Sequence, residues 1–193
     1  MVLDIMRFIL DKIKVGSAEI DDQAVEALVE RLSVAPAIFV YGAGRSGLVG
    51  RAFAMRLMHL GLTVYVVGDT TTPAIREGDL LLLISGSGET PSVRVVAEEA
   101  KRRKAAVVSL TSNADSSIAR VSDLVVLVPS HIVRSGDEDY LARQVAGLHE
   151  PLTPMGTAFE LTAMVLCDSL VVALMGKLHR TVEDMAAKHA TLQ

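Results

Sequence analysis

The sequence has no tryptophan, only three tyrosines and four phenylalanines, and a single cysteine in 193 residues. So few rings leave little stacking surface for single-stranded nucleic acid. Nor is there a basic surplus: 19 Lys and Arg face 23 Asp and Glu, for a net charge of −4. No nucleic-acid partner is expected from such a balance. One cysteine excludes an internal disulfide and makes a reducing, cytoplasmic setting the natural one. Cys167, flanked by Val165, Leu166 and Leu170, reads as a buried structural thiol. The five histidines are scattered, so no metal cluster is expected. No uncharged apolar run reaches the roughly 18 residues of a membrane helix, and no membrane partner is expected. The opening MVLDIMRFILDKIKVG carries Asp4, Arg7, Asp11 and Lys12, and reads as an amphipathic helix, not a signal peptide.

What the chain does have is apolar residues, 50% of the total with a mean hydropathy of +0.40. That is high for a monomer of this size and points to apolar surface buried between subunits. Five aliphatic runs, AIFVY (37–41), TVYVV (63–67), DLLLLIS (79–85), AAVVSL (105–110) and DLVVLV (123–128), are nearly continuous and do not alternate. Strands buried on both faces have that pattern. Helical periodicity lies between several of them, as in GLVGRAFAMRLMHLG and PSVRVVAEEAKRR. Strand–helix alternation predicts a parallel sheet covered on both sides. The segment GDTTTPAIREG is too short for a crossover between parallel neighbours, so the second and third strands are not expected to be adjacent. One domain spans 1–193, with helices within 1–34 and a C-terminal helix and tail over 153–193. The stretch from His131 to Leu152 has no strong period and reads as a long functional loop.

Two glycine loops carry the chemistry. YGAGRSG matches G-x-G-x-x-G through Gly42, Gly44 and Gly47, and Asp69 lies where a dinucleotide fold places its ribose-binding acid. A nicotinamide-dependent oxidoreductase is therefore one reading. The second loop, SGSGETP, favours another. Thr90-Pro91 is a helix start, with Thr as N-cap and Pro at the first helical position. The backbone amides there, with the hydroxyls of Ser85, Ser87 and Thr90, make a concave donor array where the helix dipole favours an anion. One phosphate group fits that array. The bland alternative is a polar turn bonded to itself.

SGSGET resembles the phosphate loop of the sugar isomerase (SIS) domain family. YGAGRSGLVGRAFAMRLMHLG, TTTPAIREGDLLLLISGSGET, PMGTAFE and the terminal HATLQ together resemble the 6-phospho-3-hexuloisomerases within it. The resemblance implies a five-stranded parallel α/β sheet flanked by helices, a flavodoxin-like three-layer sandwich. It implies a homotetramer without metal or cofactor, and a functional link to hexulose-6-phosphate synthase in the ribulose monophosphate route of formaldehyde fixation. The implied reaction interconverts D-arabino-3-hexulose 6-phosphate and D-fructose 6-phosphate. The implied site is Gly44, Arg45 and Ser46 from the first loop, Ser85, Gly86, Ser87 and Thr90 on the phosphate, and Glu160 and His189 as acid–base groups. A non-catalytic sugar-phosphate regulator of the same family is the alternative.

Read without the resemblance, Glu160 closes a T-x-x-E capping box from Thr157, or sits in the second turn of a helix that starts at Thr153-Pro154. His189, near a terminus, reads as solvated. His59, near a helix C-terminus, reads as packing. Arg45 reads as a solvated loop residue.

Overall fold

The computed structural model describes residues 1–130 and 156–189. The loop expectation for His131–Leu152 and the last four residues of HATLQ lie outside them. Two helices lead, α1 (Val2–Ser17) and α2 (Asp22–Val34), followed by β1 (Ile38–Gly42), α3 (Gly44–His59), β2 (Val64–Val66), β3 (Leu80–Ile84), α4 (Pro91–Arg102), β4 (Ala106–Thr111), α5 (Ser117–Val121), β5 (Leu124–Leu127), α6 (Thr157–Lys177) and α7 (Val182–Ala186).

The five strands form one sheet in the order β2-β1-β3-β4-β5. Every pairing is parallel, with Ile38 opposite both Val64 and Leu80, Leu80 opposite Ala106, and Val108 opposite Leu124. β2 and β3 are separated by β1, as the short segment between them predicts. The aliphatic runs do not alternate because both faces of the sheet are covered. Leu80, Leu82 and Ile84 pack with α2, α3 and α6, through Leu28, Phe53, Leu57 and Leu170. Leu81 and Leu83 pack on the other face with α4 and α5, through Val93, Ala97 and Ile118. β3 is buried at every residue.

α6 is, by length and composition alone, long and apolar enough to cross a membrane, yet 56% of that stretch is buried within the molecule. Ala163, Cys167, Leu170 and Leu174 form its buried stripe against the sheet. Glu160 and Asp168 break it with charge before Lys177, in keeping with the absence of an uncharged run of membrane length in the sequence. Burial holds the Cys167 thiol far above its ordinary titration range, consistent with a structural and unreactive sulfur.

This topology positions a site. The chain leaves β1 towards one edge of the sheet and leaves β3 towards the other. The crevice between the carboxyl ends of β1 and β3 is the topological switch point, where open parallel sheets take their ligands. Both glycine loops end there.

Candidate active site

The first loop is a tight turn. A Cβ on Gly42 would lie 2.8 Å from Ile84 O, and one on Gly47 2.5 Å from Gly42 O. These glycines allow β1, β3 and α3 to approach closely, and Gly44 takes a positive φ of 57° at the helix start. The turn delivers Arg45 and Ser46 to the crevice, Ser46 nearly buried. Asp69 does not face a ligand. Arg51 holds it in a fork, Nη2 donating to Oδ1 at 2.6 Å and Nη1 to Oδ2 at 3.2 Å. The glycines and the acid that suggested a dinucleotide are thus both engaged within the protein.

The second loop is tied back through its carbonyls. Gly86 O accepts from Ser112 N at 3.0 Å, Ser112 Oγ at 2.7 Å and Thr111 Oγ1 at 3.2 Å. Gly88 O accepts from Ile118 N at 3.2 Å and Ser117 Oγ at 3.1 Å. Ser85 O accepts from Gly88 N at 3.2 Å. With the carbonyls held behind, the amides of Gly86, Ser87 and Thr90 have no hydrogen-bond acceptor among the described residues. Thr90 is the N-cap of α4, as expected, but its side chain caps nothing. Its hydroxyl lies 3.5 Å from Ser85 Oγ, at the crevice. Free amides, hydroxyls and a helix N-terminus therefore converge, which is the donor set a phosphate requires.

The opposite wall comes from α6. Its N-cap is Gly156 in the left-handed region, φ 84°. The capping-box reading of Thr157–Glu160 is therefore corrected: the box would make Thr157 the N-cap, and Thr157 is already the first helical residue. The Glu160 carboxylate instead accepts from Arg45 Nε. Glu160 is 12% exposed and Arg45 59%, so the carboxylate is sheltered while its cation faces solvent. Phe159 lies against Gly86, where a Cβ would stand 3.2 Å from the ring. That contact locks the first turn of α6 onto the phosphate loop. The half-open cavity between them is about 140 Å³, with Ser46, Ser85, Ser87 and Thr90 on one side and Phe159 and Glu160 on the other. Among the described residues no cluster of three or more His, Cys, Asp or Glu could hold a metal.

Arg45, Ser46, Ser85, Gly86, Ser87, Thr90 and Glu160 are thus brought together. His189 is not. Its ring stacks on His59, centroids 5.3 Å apart and planes at 29°. His59 ends α3 and Arg45 begins it, and 14 residues of helix rise about 21 Å. Within one chain, His189 sits at the wrong end of α3. His59 is buried as the packing reading expects. Burial, then the neighbouring His189 and Arg56, push its pKa down, so it is neutral at neutral pH.

Gly88 shows how closely the loop is fitted. Its φ is +64°, and a Cβ there would stand 2.2 Å from Ser116 Oγ. Gly88→Ala is expected to destabilise the fold by about 2–4 kcal/mol, combining left-handed strain and overpacking. Denaturant midpoints with and without inorganic phosphate measure it, and the phosphate-induced stabilisation should vanish. An unchanged midpoint would mean that the turn yields freely.

A parallel sheet of this order, with a donor-rich loop at its switch point, defines a class. The chain matches the SIS domain over residues 31–133 and belongs to that family. Within it, the chain is 38% identical to a 3-hexulose-6-phosphate isomerase of Mycobacterium gastri over 97% of its own length and 89% of that protein's. It is 37% identical to the enzyme of that name from Bacillus subtilis, covering 96% and 95%. A Methanococcus jannaschii protein whose crystal structure was taken to infer 3-hexulose-6-phosphate isomerase function superimposes with a TM-score of 0.79, at 34% identity, over 99% of this chain and 98% of that one.

Proposed function

We propose that this chain is an isomerase that interconverts D-arabino-3-hexulose 6-phosphate and D-fructose 6-phosphate through a cis-enediol. The observation that carries the reading is that a sheltered carboxylate, Glu160, and the phosphate-type loop open onto one cavity. The names of its relatives support it. The reaction needs a proton taken from C2 and one returned to C3, with a proton passed between their oxygens. No electrons leave the substrate, so neither nicotinamide nor metal is required. Ser85, Gly86, Ser87 and Thr90 take the phosphate, with Gly44 and Ser46 lining the facing turn. Glu160 is the base at C2. Arg45 orients that carboxylate and offers its remaining N–H donors to the developing enediolate. O5 could close on C3 of the 3-ketose only as a four-membered ring, so that substrate is open-chain and no ring-opening step is needed in this direction.

His189 supplies the second acid–base group, from a neighbouring copy of the chain. A homotetramer in the cytoplasm suits this arrangement. The apolar surface available for association is large. Leu3, Met6 and Leu10 on α1, Leu48 on α3, and Val165 and Val172 on α6 are each about half exposed or more. Since a 3-hexulose 6-phosphate must be made before it is isomerised, a hexulose-6-phosphate synthase is the functional neighbour, as in the ribulose monophosphate pathway.

A sugar-phosphate regulator of this family would keep Ser85, Ser87 and Thr90 but have no use for a carboxylate paired with Arg45 in the same cavity. Conversion of 3-hexulose 6-phosphate to fructose 6-phosphate in a coupled assay separates the two, and binding without turnover would favour the regulator. Ser87→Ala is expected to weaken fructose 6-phosphate binding by roughly 1–2 kcal/mol, the value of a hydrogen bond to a charged group. Titration calorimetry measures it, with inorganic phosphate competing. Undiminished affinity would reduce the loop to a turn.

A further inference from the structure

A carboxylate in the middle of an anion-binding loop calls for a physical reason. Glu89 stands between Gly88 and Thr90 in SGSGET, next to the amides proposed to hold the phosphate. Its charge opposes phosphate binding unless it is turned away and satisfied elsewhere, and it is. Glu89 Oε1 accepts from Ser117 N at 2.7 Å, across 28 residues, at the first position of α5. Its own amide donates to Ser87 Oγ at 3.2 Å. The bond to Ser117, with help from Arg120 and Arg94, keeps the carboxyl below the usual carboxylate range, so it is ionised at neutral pH. The adjacent Gly88 carbonyl is tied to the same turn through Ile118 N and Ser117 Oγ. Together these bonds draw the back of the loop onto α5, which leaves the Thr90 amide facing the crevice.

We infer that Glu89 is a positioning residue. Its carboxylate clamps the phosphate loop to the start of α5 and so presents the loop's amides and hydroxyls to the substrate phosphate, without touching the substrate. This rests on the reading of Ser85–Thr90 as the phosphate loop. The clamp acts at the phosphate end of the substrate, whereas Glu160 acts at the other. Its loss therefore raises KM and leaves kcat nearly alone, because the bond lost is one that serves ground state and transition state alike.

The test compares four variants, with Ser87→Ala as the reference for phosphate contact, by steady-state kinetics and by binding of fructose 6-phosphate and inorganic phosphate. Glu89→Ala is expected to raise KM and both dissociation constants roughly tenfold, as for a lost charge-assisted hydrogen bond, with kcat changed less than about twofold. Glu89→Gln keeps an acceptor for Ser117 N–H and should recover most of the loss. Ser117→Pro removes the donor instead. Proline suits the first position of a helix, and Ser116 already has the extended backbone that precedes a proline, φ −66° and ψ 160°. Ser117→Pro also removes the hydroxyl that ties Gly88 O, so it should be at least as impaired in KM as Glu89→Ala, and the double variant should be no worse than Ser117→Pro alone. If Glu89→Ala does not fold, Ser117→Pro and Glu89→Gln carry the comparison. Parent-like affinity in Glu89→Ala alongside a weakened Ser87→Ala overturns the clamp. So does a kcat loss at constant KM, or a Gln variant as impaired as the Ala one. Full affinity in Ser87→Ala would instead overturn the phosphate reading beneath it, so the two failures are distinguishable.

Discussion

Glu160→Gln is expected to lower kcat by roughly 10²–10⁴-fold while leaving the fold and phosphate affinity in place. Gln has the shape of Glu and can still accept from Arg45 Nε, so the contact between α3 and α6 survives. What it cannot do is take a proton from carbon. The phosphate loop contacts the other end of the substrate, so KM should move little. The parent enzyme run in D₂O should place deuterium on the carbon that receives the proton, to the extent that the protonated base exchanges with solvent before it returns its proton. A Gln variant with full activity would leave Glu160 as the partner of Arg45 and nothing more.

The fold was legible because burial on two faces leaves a plain mark. Leu80 to Ile84 is aliphatic at every position, and the structure buries every position against two helical layers. One feature of the strand order, that β2 and β3 are not neighbours, followed from one length, the short segment between them. The helix start behind SGSGE was legible from turn chemistry, since Thr90-Pro91 announces it and Thr90 is the N-cap of α4. Glu160 was harder. Thr157 and Glu160 have capping-box spacing, and only the backbone decides which residue is the N-cap. Gly156, at a positive φ, takes that place, and no local pattern announced it.

Contacts between distant segments were not legible. Arg45 and Glu160 are 115 residues apart. Nothing local in GAGRSG or TAFE marks them as partners, and only the closure of α6 onto the switch point joins them. Phe159 against Gly86 is similar: an apolar residue in an apolar helix, selected by a missing Cβ elsewhere. The dinucleotide reading failed for a related reason. Gly42 and Gly47 are needed for close packing whatever the ligand, and Asp69 is claimed by Arg51 from the facing helix. Glu89 was visible in the motif, but its partner, the backbone amide of Ser117, has no side-chain signature.

The second large effect concerns His189. In its own chain it stacks on His59, about a helix length of 21 Å from Arg45. If it is nevertheless an acid–base group of the site that contains Glu160, that site belongs to another copy. His189→Ala should then cost roughly 10²–10³-fold in kcat although the residue is remote from its own phosphate loop. Glu160→Gln and His189→Ala should be inactive as separate assemblies and active when mixed. Subunits combined under mild dissociating conditions and reassembled at equal ratio place an intact Glu160 beside an intact His189 in about one pairing in four, so up to about a quarter of parent activity should return. The exposed apolar residues of α1, α3 and α6 give the chain a surface over which such pairing can occur. No recovery in assemblies shown to be mixed would mean that His189 serves no neighbouring site. Its pairing with His59 would then be packing alone, and the second proton carrier would have to be sought among groups closer to Glu160, with Arg45 and Ser46 the first to replace.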